Sequence, residues 1–425
     1  MNLKDFSLMS PVIQAGEILR AIEVAIPPQA IEQAVADSQA QERRTRSLPA
    51  HLVVSLVIAM SLWSSDSMRA VLKNLVDGVS EAWIRVGRYW KVPCKSAITQ
   101  ARQRLGPRVM SQLFHQLVRP MATSETIGAF LNGLRVVVID GTTFDVPDTV
   151  VNSRVFGRPG TRPGTMAAFP KVRLVLLIEA GTHLIFDALM CSYRMGERVR
   201  ALKLLRSVKP GMLLMWDRGI HSYAMVNATL AQGCDYLGRI PANVKFLAEE
   251  PLADGSYLSW IYPPAKLRKR GCRLIQLRVI EYTIEHPERL GEQVTYRLIT
   301  SLLNIEQFPA TQLAQEYHQR WEVENTIDEL KTHLLGRKTP IRSGNPREVV
   351  QEVYGWLLGH WAVRFLMFQA ASEGDIAPLG LSFTGTLRVI RRAVPKFQRL
   401  QPEDTPLFCL VNGRDFIREI TAAST

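Results

Sequence analysis

Apolar runs of strand length, two of them ending in an aspartate, set the strongest constraint on the fold of this chain. Residues 134–139 are apolar except for one arginine and end in Asp140-Gly141, and residues 212–216 are apolar and end in Asp217. Further strand-like runs occupy residues 172–178, 184–190 and 236–240, with helical stretches at 197–208 and 222–231. The predicted order is three strands, a helix, a strand, a helix and a strand. This order predicts a mixed α/β sheet whose first three strands form a meander.

The segments on either side follow other patterns. Residues 1 to about 120 repeat apolar side chains at helical spacing. Residues 241–305 are rich in β-favouring side chains interrupted by Asp254-Gly255 and Pro263-Pro264, which predicts a β-rich insertion. A long helix is predicted over residues 307–335, where Gly336 and Pro340 end it. Two more helices are predicted over residues 348–371 and 384–394.

Charge and cysteine content narrow the class of protein. The 425 residues include 52 Lys and Arg against 39 Asp and Glu, a formal net charge of +13, which favours a polyanionic partner, either nucleic acid or an anionic membrane. The most apolar run, residues 52–63, is too short to span a bilayer, and no signal peptide precedes it, so no membrane association is expected. The five cysteines are scattered without metal-site or redox-site spacing, which suits a reducing cytoplasm.

Asp140 and Asp217 have equivalent positions, because each follows an apolar run predicted to be a strand. In open α/β sheets, ligands bind at the carboxyl ends of the strands. Two carboxylates on neighbouring strand ends can share hard divalent cations, which prefer oxygen ligands. The alternative is that an aspartate close to a glycine after a strand serves only the turn.

The predicted long helix carries a row of polar side chains. At about 100° per residue, they fall within an arc of about 80°. They are Tyr317, Arg320, Glu324, Asp328 and Lys331. An apolar stripe lies beside this arc, so the helix can pack on a sheet and present the polar row along one edge. The alternative is a solvated helix face with ordinary ion pairs.

Tyr317-x2-Arg320-x3-Glu324-x6-Lys331 matches the signature of the insertion-sequence-four family of bacterial DDE transposases. It follows an Asp-Gly-Thr-Thr strand end at 140–143 and a Trp-Asp-Arg-Gly strand end at 216–219, in the family's order. The stretches 46–49 and 101–106 also resemble the family's N-terminal domain, and Ser382-Phe383 resembles its tail. The resemblance covers about residues 40 to 400.

This resemblance implies a ribonuclease-H-like core whose third acid, Glu324, comes from the helix after the insertion. Asp140, Asp217 and Glu324 would hold two Mg²⁺ ions, with Mn²⁺ as a substitute, for phosphoryl transfer at DNA. Tyr317, Arg320 and Lys331 would bind DNA phosphates. The implied protein is a cut-and-paste transposase that cleaves inverted-repeat ends and transfers strands into target DNA. It would act as a homodimer on paired ends in the bacterial cytoplasm, associated with the nucleoid when bound to DNA.

The expected division of the chain follows from these segments. It comprises a helical N-terminal DNA-binding domain at 1–120, the first part of the catalytic core at 121–240, the insertion at 241–305, the second part of the core at 306–345, and a helical C-terminal region at 346–425 that could serve dimerisation.

Basic stretches without acids flank the predicted site. No acid occurs between Asp148 and Glu179 or between Glu329 and Glu348, and a third basic cluster spans residues 266–273. Candidate DNA contacts are Arg158, Arg162, Arg218, Lys338 and Arg342. Each stretch alone is also typical of a solvated surface.

Trp260 lies in the predicted insertion. In some relatives that form a hairpin at the transposon end, an aromatic side chain in this region holds a flipped base, so the resemblance makes Trp260 a candidate. The alternative is a Trp that packs a hairpin. Two other functions fit the chain: a related metal nuclease without strand transfer, and a non-catalytic DNA-binding repressor derived from a transposase.

Overall fold

The protein is described by a computed structural model, and the chain divides into two compact units. The residues described are 25–42, 44, 47–76, 91–160, 164–269, 271, 273–285, 293–336 and 340–397. The helical unit comprises the described residues within Met1–Arg119, Phe144–Lys171 and Ile327–Thr425, and the sheet unit those within Pro120–Thr143 and Val172–Thr326. The five-part division expected from the sequence stays a prediction.

Along the chain, helices precede the first strand, lie between later strands and follow the last strand. The helices are α1 (Pro28–Asp37), α2 (Ala50–Leu62), α3 (Met68–Val76), α4 (Lys95–Leu105), α5 (Arg108–Leu117), α6 (Val150–Phe156), α7 (Glu197–Leu204), α8 (Tyr223–Ala231), α9 (Ala265–Arg268), α10 (Ala310–Gln319), α11 (Glu322–Asp328), α12 (Pro346–Gly374) and α13 (Phe383–Phe397). A π-helical turn, Glu329–Leu334, continues α11 directly. Among the described residues, no helix is long and apolar enough to cross a membrane.

The strands form one mixed sheet. They are β1 (Phe130–Leu131), β2 (Leu134–Asp145), β3 (Lys171–Glu179), β4 (Leu184–Ser192), β5 (Met212–Trp216), β6 (Asp235–Arg239), β7 (Glu250–Pro251), β8 (Tyr257–Ile261), β9 (Ile275–Glu285) and β10 (Gln293–Thr300). Their order is β4-β3-β2-β5-β6-β10-β9-β8-β7, with β1 beside β2. Strands β2, β5 and β6 are parallel neighbours, whereas β3 and β4 are antiparallel.

This order confirms the predicted α/β fold, a meander followed by parallel strands as in a ribonuclease-H-like core. The β-favouring residues after position 241 also form strands as predicted. They extend the same sheet, because β10 pairs antiparallel with β6 and β9 with β10. The core sheet and the β-rich segment are therefore continuous through backbone hydrogen bonds.

The central strand β5, which leads to Asp217, is closely packed. All five of its residues are buried, which is typical of a parallel strand covered on both faces. The indole of Trp216 lies over Gly238, its partner on β6, where an added Cβ would come within 2.3 Å of the ring. Gly238 is therefore needed for the backbone of β6 to pass beneath this tryptophan.

In the helical unit, α2 and α12 pack at close range. Residues Leu52 to Leu62 of α2 are all buried, consistent with the buried helix expected there. Gly355 and Gly359 of α12 face this helix, and a Cβ added at Gly355 would lie 2.6 Å from the carbonyl oxygen of Val57. The helices therefore meet backbone against backbone, with glycine at the contact.

Two expected elements differ from the sequence-based prediction. Strand β2 continues through Asp140 to Asp145, because β3 pairs with it on the other side and the N–H of Val146 still donates to Pro170, at 2.9 Å. The long helix predicted at 307–335 is interrupted at Arg320 and Trp321.

The interruption changes the helical register. The N–H groups of Arg320 to Glu324, except Glu322, donate three residues back instead of four, which tightens the turn. A constant 100° per residue therefore does not apply across it. Tyr317 and Arg320 are buried, whereas Glu324 and Asp328 are exposed, so the single polar arc predicted from the sequence is wrong.

Candidate active site

Asp140 and Asp217 emerge side by side at the carboxyl end of the parallel strands. The last parallel pair joins Ile139 of β2 to Trp216 of β5, and the aspartates are the next residues on each strand. Asp140 accepts a hydrogen bond from the N–H of Gly141 at 2.7 Å. Asp217 accepts from the N–H groups that follow it in its turn, at 2.9 and 3.2 Å. The two carboxylates that the sequence singled out are thus brought together.

Tyr317 and Arg320 each hold one of these two strand ends. The hydroxyl of Tyr317 donates to the carbonyl oxygen of Trp216 at 3.4 Å, directly before Asp217. The Nη1 atom of Arg320 lies 3.8 Å from the Oδ2 atom of Asp140. Both side chains are buried, and the Nε of Arg320 has no hydrogen-bond partner among the described residues. Both side chains therefore contact the segments that carry the acids, and the DNA contacts expected of them stay a prediction.

Glu324 is an exposed residue in the first turn of α11, and its negative charge acts on Asp140. The pKa of Asp140 is raised, mainly by burial and further by the negative charges of Asp217 and Glu324. The Gly141 N–H and the Arg320 guanidinium oppose this shift. The charges of the other two acids expected from the signature therefore both act on Asp140.

A fourth acid, Glu197, joins them, and the sequence reasoning missed it. Its carboxylate lies over Gly141, where an added Cβ would come within 2.1 Å of Oε1. Arg173 donates to its Oε2 at 2.9 Å. The pKa of Glu197 is raised by burial and then by the charge of Asp140, while Arg173 opposes the rise.

Strand direction was the signal that could have revealed Glu197. β3 runs antiparallel to β2, because the N–H of Ala180 donates to Val136 and that of Val146 to Pro170. β4 runs antiparallel to β3 and hence in the direction of β2. The helix that follows β4 therefore begins at the edge where Asp140 and Asp217 emerge.

The donor set fits a hard divalent cation in its chemistry and charge. Carboxylate oxygens are the ligands that Mg²⁺ and Mn²⁺ prefer. The pKa of Asp140 is raised mainly by burial and further by neighbouring carboxylates, and a bound cation would counter both effects. Among the described residues, no three His, Cys, Asp or Glu side chains lie close enough to hold a metal ion. Binding would therefore draw the acids closer together.

Two further predicted residues lie in the sheet unit. Arg218 is exposed beside Asp217. Trp260 on β8 is 37% exposed and borders a groove of about 460 Å³, which is also lined by Tyr262 and His221. The pKa of His221 is lowered to about 4 by burial and by the charge of Arg198, so this imidazole is neutral at physiological pH.

The remaining candidates belong to the helical unit or lie outside the described residues. Arg158 pairs with Asp148 and donates to the carbonyl of Ala167 at 3.2 Å, so its guanidinium is used within the unit. Arg342 donates to the carbonyl of Ser64. The pKa of Lys331 is lowered by burial and by a neighbouring lysine, and its Nζ lies 5.5 Å from the Phe144 ring. Arg162 and Lys338 lie outside the described residues.

Sheet order and acids together define a DDE-type domain, and comparison with known proteins gives its family. Residues 131–354 match the family described as Transposase DDE domain, and residues 17–115 match Insertion element 4 transposase N-terminal. The chain belongs to the insertion-sequence-four family of DDE transposases.

Two similar proteins illustrate the range of this likeness. The chain is 26% identical over 413 residues to transposase InsG for insertion sequence element IS4 of Escherichia coli (strain K12), covering 94% of this chain and 87% of the relative. The piggyBac transposase, solved as a synaptic complex with hairpin DNA, aligns with 95% of this chain and 84% of its own. That alignment has 12% identity and a TM-score of 0.49.

Proposed function

We propose that this transposase cleaves the inverted-repeat ends of its own element in a divalent-metal-dependent reaction and joins them to target DNA by a cut-and-paste route. The observation that carries the proposal is that Asp140 and Asp217 follow paired positions of neighbouring parallel strands, with the charge of Glu324 acting on Asp140. Phosphoryl transfer needs chiefly positioning and charge neutralisation, and this arrangement provides the negative ligands for both.

Asp140, Asp217 and Glu324 would hold two Mg²⁺ ions, or Mn²⁺ in their place. Bound divalent ions supply charge neutralisation at the scissile phosphate and activation of the attacking hydroxyl. Arg320 keeps the carboxylate of Asp140 in place, and Tyr317 fixes the backbone before Asp217. These two contacts set the separation and direction of the aspartates.

DNA phosphates would be neutralised by basic groups around the acids. Arg218 is exposed directly beside Asp217, and the Nε of Arg320, which has no hydrogen-bond partner in the part of the chain described, is a buried donor next to Asp140. Lys331, Arg162 and Lys338 remain proposed phosphate contacts from the family signature and the basic sequence stretches. Arg158 and Arg342 are weaker candidates because they already serve internal contacts. On the strength of the family, the enzyme acts as a homodimer on paired ends, in the bacterial cytoplasm.

Cleavage and strand-transfer assays on DNA carrying the element's ends test the catalytic proposal. Wild-type protein should cut and join with Mg²⁺ or Mn²⁺ and do neither with EDTA. Asp217→Asn and Glu324→Gln should each lower the cleavage rate by at least about a hundredfold, because each removes a charged ligand. The exposed acid Glu125, in the same unit, gives the matched control Glu125→Gln, which should cut at the wild-type rate.

The same assay separates the alternatives. Cleavage without joining would favour a nuclease that lacks strand transfer. Binding of end DNA without cleavage under any divalent metal would favour a repressor and contradict the enzymatic proposal. Full cleavage by Glu324→Gln would show that this acid has been wrongly assigned.

We also propose that Trp260 stacks on a base flipped from the cleaved end. Its partial exposure beside a groove of about 460 Å³, next to exposed Tyr262, supports this role over a purely packing one. With 2-aminopurine at the end of pre-nicked DNA, wild-type protein should raise and then partly quench the fluorescence as the base unstacks and stacks on the indole. Trp260→Phe should keep most of this signal and Trp260→Ala should lose it. Equal signals from the two variants would contradict the stacking role.

A further inference from the structure

Glu197 begins α7 with its carboxylate turned towards the strand that carries Asp140. The space over Gly141 is filled by this carboxylate so closely that a Cβ there would lie 2.1 Å from Oε1 and 2.3 Å from Cδ. Glu197 can therefore approach this closely only because the residue after Asp140 is a glycine. A turn requirement does not explain it, because β2 runs straight through this position.

The first turn of α7 contacts both acid-bearing segments. While Glu197 lies against Asp140-Gly141, the Nε of Arg198 donates to the carbonyl oxygen of Gly219, at 3.2 Å, in the turn after Asp217. An acid in the first helical turn is favourable for the helix dipole alone. That effect does not require the carboxylate to stand beside two other carboxylates, which costs free energy.

Arg173 neutralises one side of Glu197 only. Its Nη1 donates to Oε2 at 2.9 Å, and its guanidinium lies 5.2 Å from the centre of the Tyr193 ring, which holds it in place. The other oxygen, Oε1, is the atom turned to Gly141. Glu197 is thus held by a cation at one oxygen, and its other oxygen lies against Gly141, the residue after Asp140.

An independent feature indicates that a ligand enters this centre. Arg320 is only 7% exposed and lies beside Asp140, yet its Nε has no hydrogen-bond partner among the described residues. A buried guanidinium donor left without a partner is costly unless an anionic group satisfies it. Carboxylates beside a buried guanidinium whose Nε lacks a partner among the described residues suit a ligand that brings both a divalent cation and a phosphate.

We propose that Glu197 is a fourth carboxylate of the divalent-cation site, acting with Asp140 and Asp217 and oriented by Arg173. This inference rests on the proposed function, since it extends the cation site assigned there. The absence of a side chain at Gly141 leaves room for the Glu197 carboxylate next to Asp140.

Mn²⁺ binding to the full-length protein without DNA, followed by the paramagnetic resonance of free Mn²⁺, tests this role separately from catalysis. Glu197→Gln keeps the size and the hydrogen bond to Arg173 but removes the charge. It should weaken Mn²⁺ binding at least about tenfold. Glu197→Asp draws the carboxylate back by one methylene and should give a smaller loss. The control Glu125→Gln should bind as wild type.

Two variants separate a ligand from a residue that only supports Arg173. Arg173→Gln removes the ion pair and leaves the acid, so Mn²⁺ affinity should hold or rise. Gly141→Ala should push the Glu197 carboxylate aside and weaken binding, with circular dichroism to confirm folding. If Arg173→Gln weakened Mn²⁺ binding as much as Glu197→Gln, Glu197 would be a partner of Arg173 and the inference would be overturned.

Failure of this inference is distinguishable from failure of the proposed function. If Asp140→Asn and Asp217→Asn lost Mn²⁺ binding while Glu197→Gln bound as tightly as wild type, only the role of Glu197 would be excluded. If the two aspartate variants also bound Mn²⁺ normally, the proposed cation site itself would be wrong.

Discussion

Two buried side chains beside the acids contact the segments that carry them. Tyr317 and Arg320, two residues of the family signature, contact the strand ends before Asp217 and at Asp140. Their burial means that the signature has a structural component that can be measured apart from DNA contact. Displacement of a catalytic group by about 1 Å is enough to slow a reaction severely.

Tyr317→Phe should slow DNA cleavage about tenfold or more and lower the free energy of unfolding by about 1 kcal/mol, because the hydrogen bond to Trp216 is lost while the ring stays packed. Tyr282→Phe is the matched control, since the Tyr282 hydroxyl has no hydrogen-bond partner in the part of the chain described. Single-turnover cleavage and denaturant unfolding would measure both effects. Equal behaviour of the two variants would contradict a positioning role for Tyr317.

Asp140→Asn should stabilise the metal-free protein near neutral pH. Burial and nearby carboxylates raise the pKa of Asp140, so its folded form binds protons more readily than its unfolded form. The contribution of Asp140 to the free energy of unfolding is fully present below the ordinary aspartate pKa of about 3.9. It is lost as pH rises through the raised pKa of the folded protein. The melting temperature should therefore exceed that of wild type at pH about 7.5, and the gain should vanish towards pH about 3.9.

Asp254→Asn provides the control with the opposite sign. Burial pushes the pKa of Asp254 upward, but hydrogen bonds from Ser256 and the charge of Arg278 help to outweigh this, and the pKa is lowered. Its contribution is present above the ordinary pKa and lost as pH falls through the lowered value. This variant should melt lower than wild type at neutral pH, with EDTA present in both series. The same sign for both variants would refute the electrostatic account of Asp140.

At the scale of elements, the contact between α2 and α12 depends on glycine. Alanine in place of a helical glycine ordinarily stabilises by about 1 kcal/mol. At Gly355, however, the new Cβ would lie 2.6 Å from the backbone oxygen of Val57, which cannot move aside easily. Gly355→Ala should therefore destabilise the protein by about 1–3 kcal/mol, because overpacking exceeds the gain in helix propensity.

Gly374→Ala, at the end of the same helix, is the matched substitution without a close contact. The nearest atom to its added Cβ is 3.7 Å away, which is ordinary van der Waals distance. It should leave the melting temperature unchanged or raise it. A stabilising Gly355→Ala would show that α2 and α12 are less closely packed than described.

The sequence predicted elements well where one physical pattern dominates. The apolar run of β5 was placed at its observed bounds, because a strand buried on both faces is apolar throughout. The interruption at Arg320 was not predictable, because no proline or glycine marks it and i→i+3 hydrogen bonding has no clear sequence signal. Glu197 is different, because the predicted meander already places its helix start at the edge of Asp140, and only the close packing of its carboxylate on Gly141 has no sequence signal.

At the scale of the whole molecule, the chain has an excess of basic residues, but acidic residues are grouped at the candidate site. The chain carries a net +13, yet the strand ends of the sheet unit bring together acids whose pKa values are raised by burial and by one another. Basic groups attract the DNA backbone at long range, whereas the carboxylates repel its phosphates until cations neutralise them. Under the proposed function, affinity for DNA and competence to cut it would therefore have separate electrostatic origins.

Binding of end DNA in EDTA should fall steeply with salt, with a slope of log K against log salt of about −0.9 for each phosphate neutralised. The double variant Asp140→Asn/Asp217→Asn should keep this slope and bind at least as tightly as wild type, because it removes two negative charges that face the phosphates. Fluorescence anisotropy with labelled end DNA between about 50 and 200 mM KCl would measure both quantities. Weaker binding by the double variant in EDTA would mean that the aspartates support the DNA-binding surface directly, and a flat salt dependence would exclude phosphate neutralisation as the source of affinity.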